Sequence, residues 1–151
     1  MPALTPELVS LYIESAKPFA HSQVERRAIK LALQLNSPPQ GVKKKHKGMF
    51  VGEINAASQE GPDAVVLSWK RLILKEIHAA LCRRTARYRK EVDTFKDDAN
   101  ILIGAIAGYV AGKLGVAVAV VAALVAALLR LVVSMGVAVF CERFTHDLRT
   151  K

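Results

Sequence analysis

Apolar residues recur at three- and four-residue steps through the first part of the chain, and after residue 100 the polar positions almost disappear. The helical period is clear over residues 8–35 and again over residues 66–81, which predicts amphipathic helices packed on one another. The forty residues from Ile101 to Phe140 follow, with Lys113 and Arg130 as their only formal charges. The pattern therefore predicts an all-α protein with a small N-terminal helical domain and a long apolar segment.

Two short helices are predicted in the N-terminal domain. The first begins near Thr5, which can cap it, and ends at Pro18. We expect its buried face to consist of Leu8, Leu11, Tyr12 and Ala16. The second begins at Ser22 and stops at the Pro38-Pro39 pair. Its buried side is predicted to contain Val24, Ala28, Leu31 and Leu35.

A third, longer helix is predicted from about Asp63, which can cap its first turn. Its apolar positions are Val66, Trp69, Ile73, Ile77, Ala80 and Leu81. An irregular basic loop, residues 37–62, separates it from the first two helices, and a charged stretch follows Cys82. We therefore place a helical domain at residues 1–98, a membrane segment at residues 99–141 and a polar tail at residues 142–151.

The apolar segment is predicted to be a transmembrane helix. Its uncharged inner run, Leu114 to Leu129, extends about 24 Å of a hydrocarbon core that is roughly 30 Å thick. Lys113 and Arg130 lie at its ends, where long side chains can raise their charges to the headgroups. We favour one continuous helix. Three alternatives stay open: a hairpin that turns at residues 112–115, a lone anchor, and a buried helix of a soluble domain.

Small residues follow one side of this predicted helix. At 100° per residue they lie within an arc of about 80°, which is typical of a glycine zipper through which two helices approach closely in lipid. We expect a homo-oligomer that assembles through Gly104, Gly108, Gly112, Gly115, Ala119, Ala122 and Ala126. Lys113 and Arg130 would then be pore-lining or headgroup charges.

The net charge of +9 favours anionic partners. Contact with lipid headgroups, or more weakly with nucleic acid, is predicted for two basic groups. A solvated loop is the favoured interpretation of the lysine run, and a solvated stalk is an equal alternative for the second group. They are Lys43, Lys44, Lys45 and Lys47 in the loop, and Arg83, Arg84, Arg87, Arg89 and Lys90 before the apolar segment. Because the second group precedes the predicted span, we expect the N-terminal domain on the cytoplasmic side of an inner membrane.

The cysteines and histidines predict no catalytic or metal centre. Cys82 and Cys141 lie on either side of the apolar segment, and their spacing suggests neither a disulfide framework nor a zinc site, which favours a reducing compartment. His78 and Cys82 are four residues apart, but no second ligand pair accompanies them. The sequence contains no P-loop, GxSxG or HExxH motif. We expect no enzymatic activity and no cofactor.

Two resemblances follow from the apolar segment. As a hairpin that inserts from a water-soluble state, it would resemble in composition the hydrophobic hairpin of pore-forming colicins. The plan of a short soluble sensor joined to a membrane segment resembles the membrane effectors of bacterial anti-phage systems. That resemblance implies an oligomeric, pore-forming effector that responds to a signal or a cytoplasmic partner protein. The alternatives are a membrane-tethered adaptor for nucleic acid or protein, and a helical assembly without a membrane.

Overall fold

The computed structural model describes residues 4–36, 61–95 and 98–149, and in this part of the chain it is all-helical, as predicted. The predicted basic loop with Lys43, Lys44, Lys45 and Lys47 lies outside the described residues. Short 3-10 turns cover Lys17–Phe19 and Ala86–Tyr88. The helices are α1 (Pro6–Ala16), α2 (Gln23–Asn36), α3 (Pro62–Leu81), α4 (Arg89–Phe95), α5 (Ala99–Leu114), α6 (Val118–Met135) and α7 (Val137–Arg149).

The starts of α1 and α2 confirm the predicted caps. The Thr5 hydroxyl accepts the N–H of Leu8 at 3.1 Å. At α2, the Ser22 hydroxyl accepts the N–H of Glu25 at 3.0 Å, and the Glu25 carboxylate accepts the N–H of Ser22 at 3.0 Å. This reciprocal pair is a capping box, which satisfies two N–H groups that the first turn of a helix would otherwise leave without partners.

Helix α6 lies at the centre of the fold. It packs extensively against α1, α2 and α5, and it also contacts α3 and α7. Every residue from Val120 to Leu129 is buried. Because this run consists of Val, Ala and Leu, it offers apolar surface in all directions and requires neighbours on all sides in water. Helices α1 and α2 therefore cover the part of α6 that α5 leaves open.

The prediction of one continuous helix from Ile101 to Phe140 is wrong for this structure. The stretch breaks at Gly115, whose φ of +69° is a left-handed conformation, and its N–H bonds the carbonyl of Ala111 at 2.8 Å. It breaks again at Gly136, where φ is +103°. Since α5 and α6 pack on each other across a three-residue turn, they form a helical hairpin. Its arms are about 24 Å and 27 Å long at 1.5 Å per residue.

The predicted buried face of α1 is only partly correct. Ala16 is buried as predicted, but Leu11 is 64% exposed, and Val9 and Ile13 are fully buried instead. Leu8 and Tyr12 are partly buried and pack against the core. Helix α1 therefore turns Val9, Ile13 and Ala16 into the core and leaves Leu11 on its open side.

The two cysteines form a disulfide, contrary to the sequence-based interpretation. Cys82 and Cys141 have their Cα atoms 5.5 Å apart, and the bond links the end of α3 to α7. The 59-residue separation gave no local signal because the pairing depends on how the hairpin returns the chain to α3. A disulfide is typical of an oxidising compartment, so the argument for a reducing one no longer holds.

We expect the disulfide to contribute about 4 kcal/mol to the free energy of unfolding, because it closes a long loop in the unfolded chain. Urea unfolding of the oxidised protein, followed by circular dichroism, should show a higher midpoint than unfolding in excess dithiol. The double variant Cys82→Ser, Cys141→Ser should match the reduced protein. Equal midpoints for all three would contradict a stabilising cross-link.

Candidate membrane-active site: the apolar hairpin and its cover

Helix α6 is, within the part of the chain that the structure describes, the one helix long and apolar enough to cross a membrane by length and composition. The buried share of its 18 residues is 67%. The core helix of a water-soluble protein meets the same two criteria. Length and composition therefore do not distinguish a membrane span from a core helix. Whether α6 can leave the core depends on the contacts that hold α1 and α2 against it.

The first polar contact between α2 and the hairpin is made by Glu25. This residue is only 9% exposed, and its carboxylate accepts the N–H groups of His21 at 3.1 Å and Ser22 at 3.0 Å. The backbone N–H of Ala117, the residue before α6, also acts to lower the pKa of Glu25. Burial acts to raise the pKa of Glu25, but these hydrogen bonds outweigh it and hold the pKa below the ordinary value of 4.5.

The second polar contact between α2 and the hairpin lies at the other end of α2. Arg130, half-buried on α6, donates to the side-chain oxygen of Asn36 at 3.4 Å. The amide nitrogen of Asn36 donates in turn to the carbonyl of Pro6 and the hydroxyl of Ser10, each at 3.2 Å. Arg130 was predicted as a pore or headgroup charge, and in this structure it joins α1, α2 and α6.

A third polar contact ties α1 to the start of α5. The hydroxyl of Tyr12 donates to the side-chain oxygen of Asn100. Asn100 is oriented by Asp98, whose carboxylate caps α5 and accepts the backbone and side-chain N–H groups of Asn100, both at 3.0 Å. Burial, and then the charge of Asp98, raises the pKa of Tyr12, so the phenol remains a hydrogen-bond donor at neutral pH.

A groove of about 480 Å³ opens beside this contact, between α1 and the hairpin. Two of its apolar lining residues are strongly exposed, Leu11 at 64% and Val118 at 52%. Gly104, Ala119 and Ala122 were predicted on one stripe of a single helix, and here they line the groove from both arms of the hairpin. The full lining is Leu8, Leu11, Tyr12, Ser15, Asn100, Gly104, Val118, Ala119 and Ala122.

The other residues of the predicted glycine zipper lie in different parts of the fold. Gly108 and Gly112 are exposed on α5, and among the described residues no atom outside their own helix backbone lies within 4 Å of where a Cβ would be at either. Gly115 forms the turn, and Ala126 is fully buried in α6. The hairpin therefore divides the stripe, and its first part, Gly104, Gly108 and Gly112, faces outward on α5. Whether this face mediates assembly stays a prediction.

Two of the predicted cationic residues, Arg87 and Lys113, lie against the ring of Tyr109 on α5. The guanidinium of Arg87 lies 4.1 Å from the centroid of its ring, and the ammonium of Lys113 lies 4.9 Å from it. Arg87 also pairs with Glu76 at 2.8 Å, and Tyr88 donates to the same carboxylate oxygen at 2.7 Å. Four further predicted anion-binding residues are exposed near α4: Arg83, Arg84, Arg89 and Lys90. Anion binding by these residues stays a prediction.

Helix α7 packs on α3 around His78. The His78 ring bonds the hydroxyl of Thr145 at 2.7 Å, and Phe140 and Phe144 stack with their centroids 5.4 Å apart beside it. Burial, and then the charge of Arg83, lowers the pKa of His78, so the ring is neutral at pH 7. Cys82 is in the disulfide, and the described residues contain no group of three metal-ligating side chains.

Sequence reasoning missed Glu25 and Asn36 as contacts to the hairpin. The S-x-x-E spacing at Ser22 indicates a capping box, but nothing local shows that the same carboxylate reaches Ala117. A buried carboxylate requires several hydrogen-bond donors. An acidic residue at a position expected to be buried would therefore have been the signal for contacts such as those of Glu25.

We expect Glu25→Gln to lower the free energy of unfolding by about 2 kcal/mol at neutral pH, because a neutral amide accepts hydrogen bonds more weakly than a carboxylate. The folded-state pKa of Glu25 lies below 4.5, so its stabilisation is present above that pH and is lost as the pH falls through the folded value. Urea midpoints at pH 7 and at about pH 3.5 should therefore differ more in the wild type than in the variant.

Glu14→Gln is the control for this measurement. Glu14 pairs with Lys17 at 2.8 Å on the surface, and both side chains are about half exposed or more. Such a pair contributes roughly 0 to 1 kcal/mol. Equal losses in the two variants would contradict a special role for Glu25.

The chain matches no family model, no curated protein and no solved structure.

Proposed function

We propose that this protein is a small membrane-active effector that keeps an apolar helical hairpin covered in water and inserts it into lipid. The observation that carries the proposal is the position of α6, a helix that meets the length and composition of a membrane span, beneath a cover formed by α1 and the amphipathic helix α2. The hairpin arms of about 24 Å and 27 Å approach the roughly 30 Å of a hydrocarbon core.

The balance of solvation supports this proposal. In water, exposing the Leu and Val side chains of α6 would cost about 1.5 to 3 kcal/mol for each one fully uncovered. In lipid that penalty vanishes, because acyl chains are as apolar as the covering side chains. The polar contacts of Glu25 and Asn36 with the hairpin must break for α2 to leave, and α2 can then lie at the interface with its apolar side in the membrane.

The charges favour an anionic leaflet as the target. The net charge is +9, and Arg87 and Lys113 lie against the ring of Tyr109 at the end of α5 next to the hairpin turn. Each basic residue near an anionic surface contributes about 1 kcal/mol, and tyrosine is enriched at the membrane interface. Headgroup contact at this end would place the turn, residues 115–117, next to the lipid.

We further propose that inserted hairpins assemble through Gly104, Gly108 and Gly112 and permeabilise an inner membrane. In the described part of the chain no other residue comes within 4 Å of a Cβ built at these glycines, which supports an α5 face that is accessible to a second helix. In this proposal a signal or a partner protein acts on the N-terminal helices and releases the hairpin. Such a device suits an anti-phage effector that stops an infected cell.

The competing function is an adaptor in which α6 stays a core helix. The burial of every residue from Val120 to Leu129 favours it, because the protein's own helices already satisfy that surface. The groove beside Leu11 would then bind a protein partner, and the basic residues would tether the protein to lipid or nucleic acid. This function requires no insertion.

Insertion can be tested with a tryptophan at the hairpin tip. Val118 is 52% exposed, so Val118→Trp should fold normally, and Trp69→Phe removes the single native tryptophan. We expect vesicles of anionic lipids with brominated acyl chains to quench the fluorescence of the introduced tryptophan, because the tip enters the hydrocarbon. The matched control is Val65→Trp on α3, 41% exposed and far from the tip in sequence, which should be quenched much less.

The outcomes separate the two functions. Binding to vesicles with no difference in quenching between the two positions indicates an adaptor on the membrane surface. No binding to anionic vesicles at all would contradict both the insertion and the tethering. Neutral vesicles serve as the charge control, since they should bind more weakly.

We expect Gly108→Ile to abolish vesicle leakage while Gly108→Ala retains most of it. A Cβ at Gly108 meets no atom within 4 Å, so both variants should fold, and the larger side chain would prevent close helix approach in an assembly. Release of an encapsulated dye and chemical cross-linking in vesicles measure the two effects. Equal leakage from both variants would contradict assembly through this face.

A further inference from the structure

The disulfide joins the two residues that border the apolar hairpin. Cys82 follows α3, and Cys141 lies in the first turns of α7, so α4, α5 and α6 all lie within the loop that the bond closes. The Cα atoms of the two cysteines are 5.5 Å apart. A hydrocarbon core is roughly 30 Å thick, about five times this distance.

A chain segment whose ends are this close cannot leave a bilayer on the side opposite to its entry. We propose that the Cys82–Cys141 disulfide sets the membrane topology, so that the oxidised protein enters lipid as a hairpin with α3 and α7 on the same side. This inference rests on the proposed insertion and adds its topology. A single span over residues 101–140, with the C-terminal tail across the membrane, requires the bond to be open.

Opening the bond is ordinary thiol–disulfide exchange. A thiolate of a dithiol reductant attacks one cysteine sulfur and forms a mixed disulfide, and the other cysteine leaves as a thiolate that takes up a proton. The second thiol of the reductant then displaces the first cysteine, so both cysteines end as thiols and the reductant ends as a disulfide. Both residues are half-buried, which gives a small reductant access.

After reduction, α7 is held to α3 by noncovalent contacts. These are the hydrogen bond between His78 and Thr145 at 2.7 Å and the packing of His78 with Phe140 and Phe144. These contacts join an imidazole, a hydroxyl and two aromatic rings. Once the disulfide is open, α7 can separate from α3 without the breaking of a covalent bond. The release of the tail therefore depends on the redox state of the two cysteines.

The test uses the full chain with a different short epitope tag at each end, reconstituted from detergent into anionic vesicles. An external protease removes every tag on the outer side. In the oxidised wild type, with the disulfide verified by mass spectrometry, each molecule should lose both tags or keep both. The double variant Cys82→Ser, Cys141→Ser, and the wild type reduced and alkylated, should each yield molecules that lose one tag.

Each outcome decides the inference. Loss of a single tag from the oxidised wild type would overturn it, and so would free thiols in the protein purified without reductant. Absence of single-tag loss in both opened forms would also overturn it, because the fold alone would then select the hairpin. A failure of the proposed function is distinct: the tryptophan of the Val118→Trp variant would stay unquenched by brominated lipid, whatever the redox state of the two cysteines.

Discussion

The fold depends on how α2 lies along α6. Glu25, near the start of α2, lies close enough to the N–H of Ala117 at the start of α6 for that group to lower its pKa, and Asn36, at the end of α2, accepts a hydrogen bond from Arg130. The two helices therefore run in the same direction. Ala117 and Arg130 bound a run of Val, Ala and Leu that has no polar side chain. The contacts of α2 with the middle of α6 are consequently hydrophobic and nonspecific. The polar contacts at the two ends fix the register of α2 on α6.

The same arrangement explains why α6 is compatible with two solvents. A helix that is apolar on all sides is satisfied equally by protein side chains and by acyl chains, so its own sequence does not select between them. The selection lies in the cover. A cover attached through a titratable carboxylate and an amide has polar contacts at its ends that can be broken, whereas a cover attached by apolar packing alone would have none.

The features that depend only on residues close together in the chain were predicted correctly from the sequence. The caps at Thr5 and Ser22, the end of α1 before Pro18 and the helical class follow from local hydrogen bonding and from the period of apolar positions. The break at Gly115 was a minority alternative, because a glycine within an alanine-rich stretch fits a helix or a turn equally well. Burial of Val9 in place of Leu11, and the pairing of Cys82 with Cys141, depend on long-range packing that no local pattern encodes.

The glycines of α5 require an explanation outside the monomer. Each glycine in a helix interior costs about 1 kcal/mol relative to alanine. Gly104, Gly108 and Gly112 occupy helical positions where an added Cβ meets no described atom within 4 Å, so no contact in this fold requires their small size. Alanine at all three would make the monomer more stable. A face of this kind is smooth enough for a second backbone, and it is the face that the proposed assembly in lipid would use.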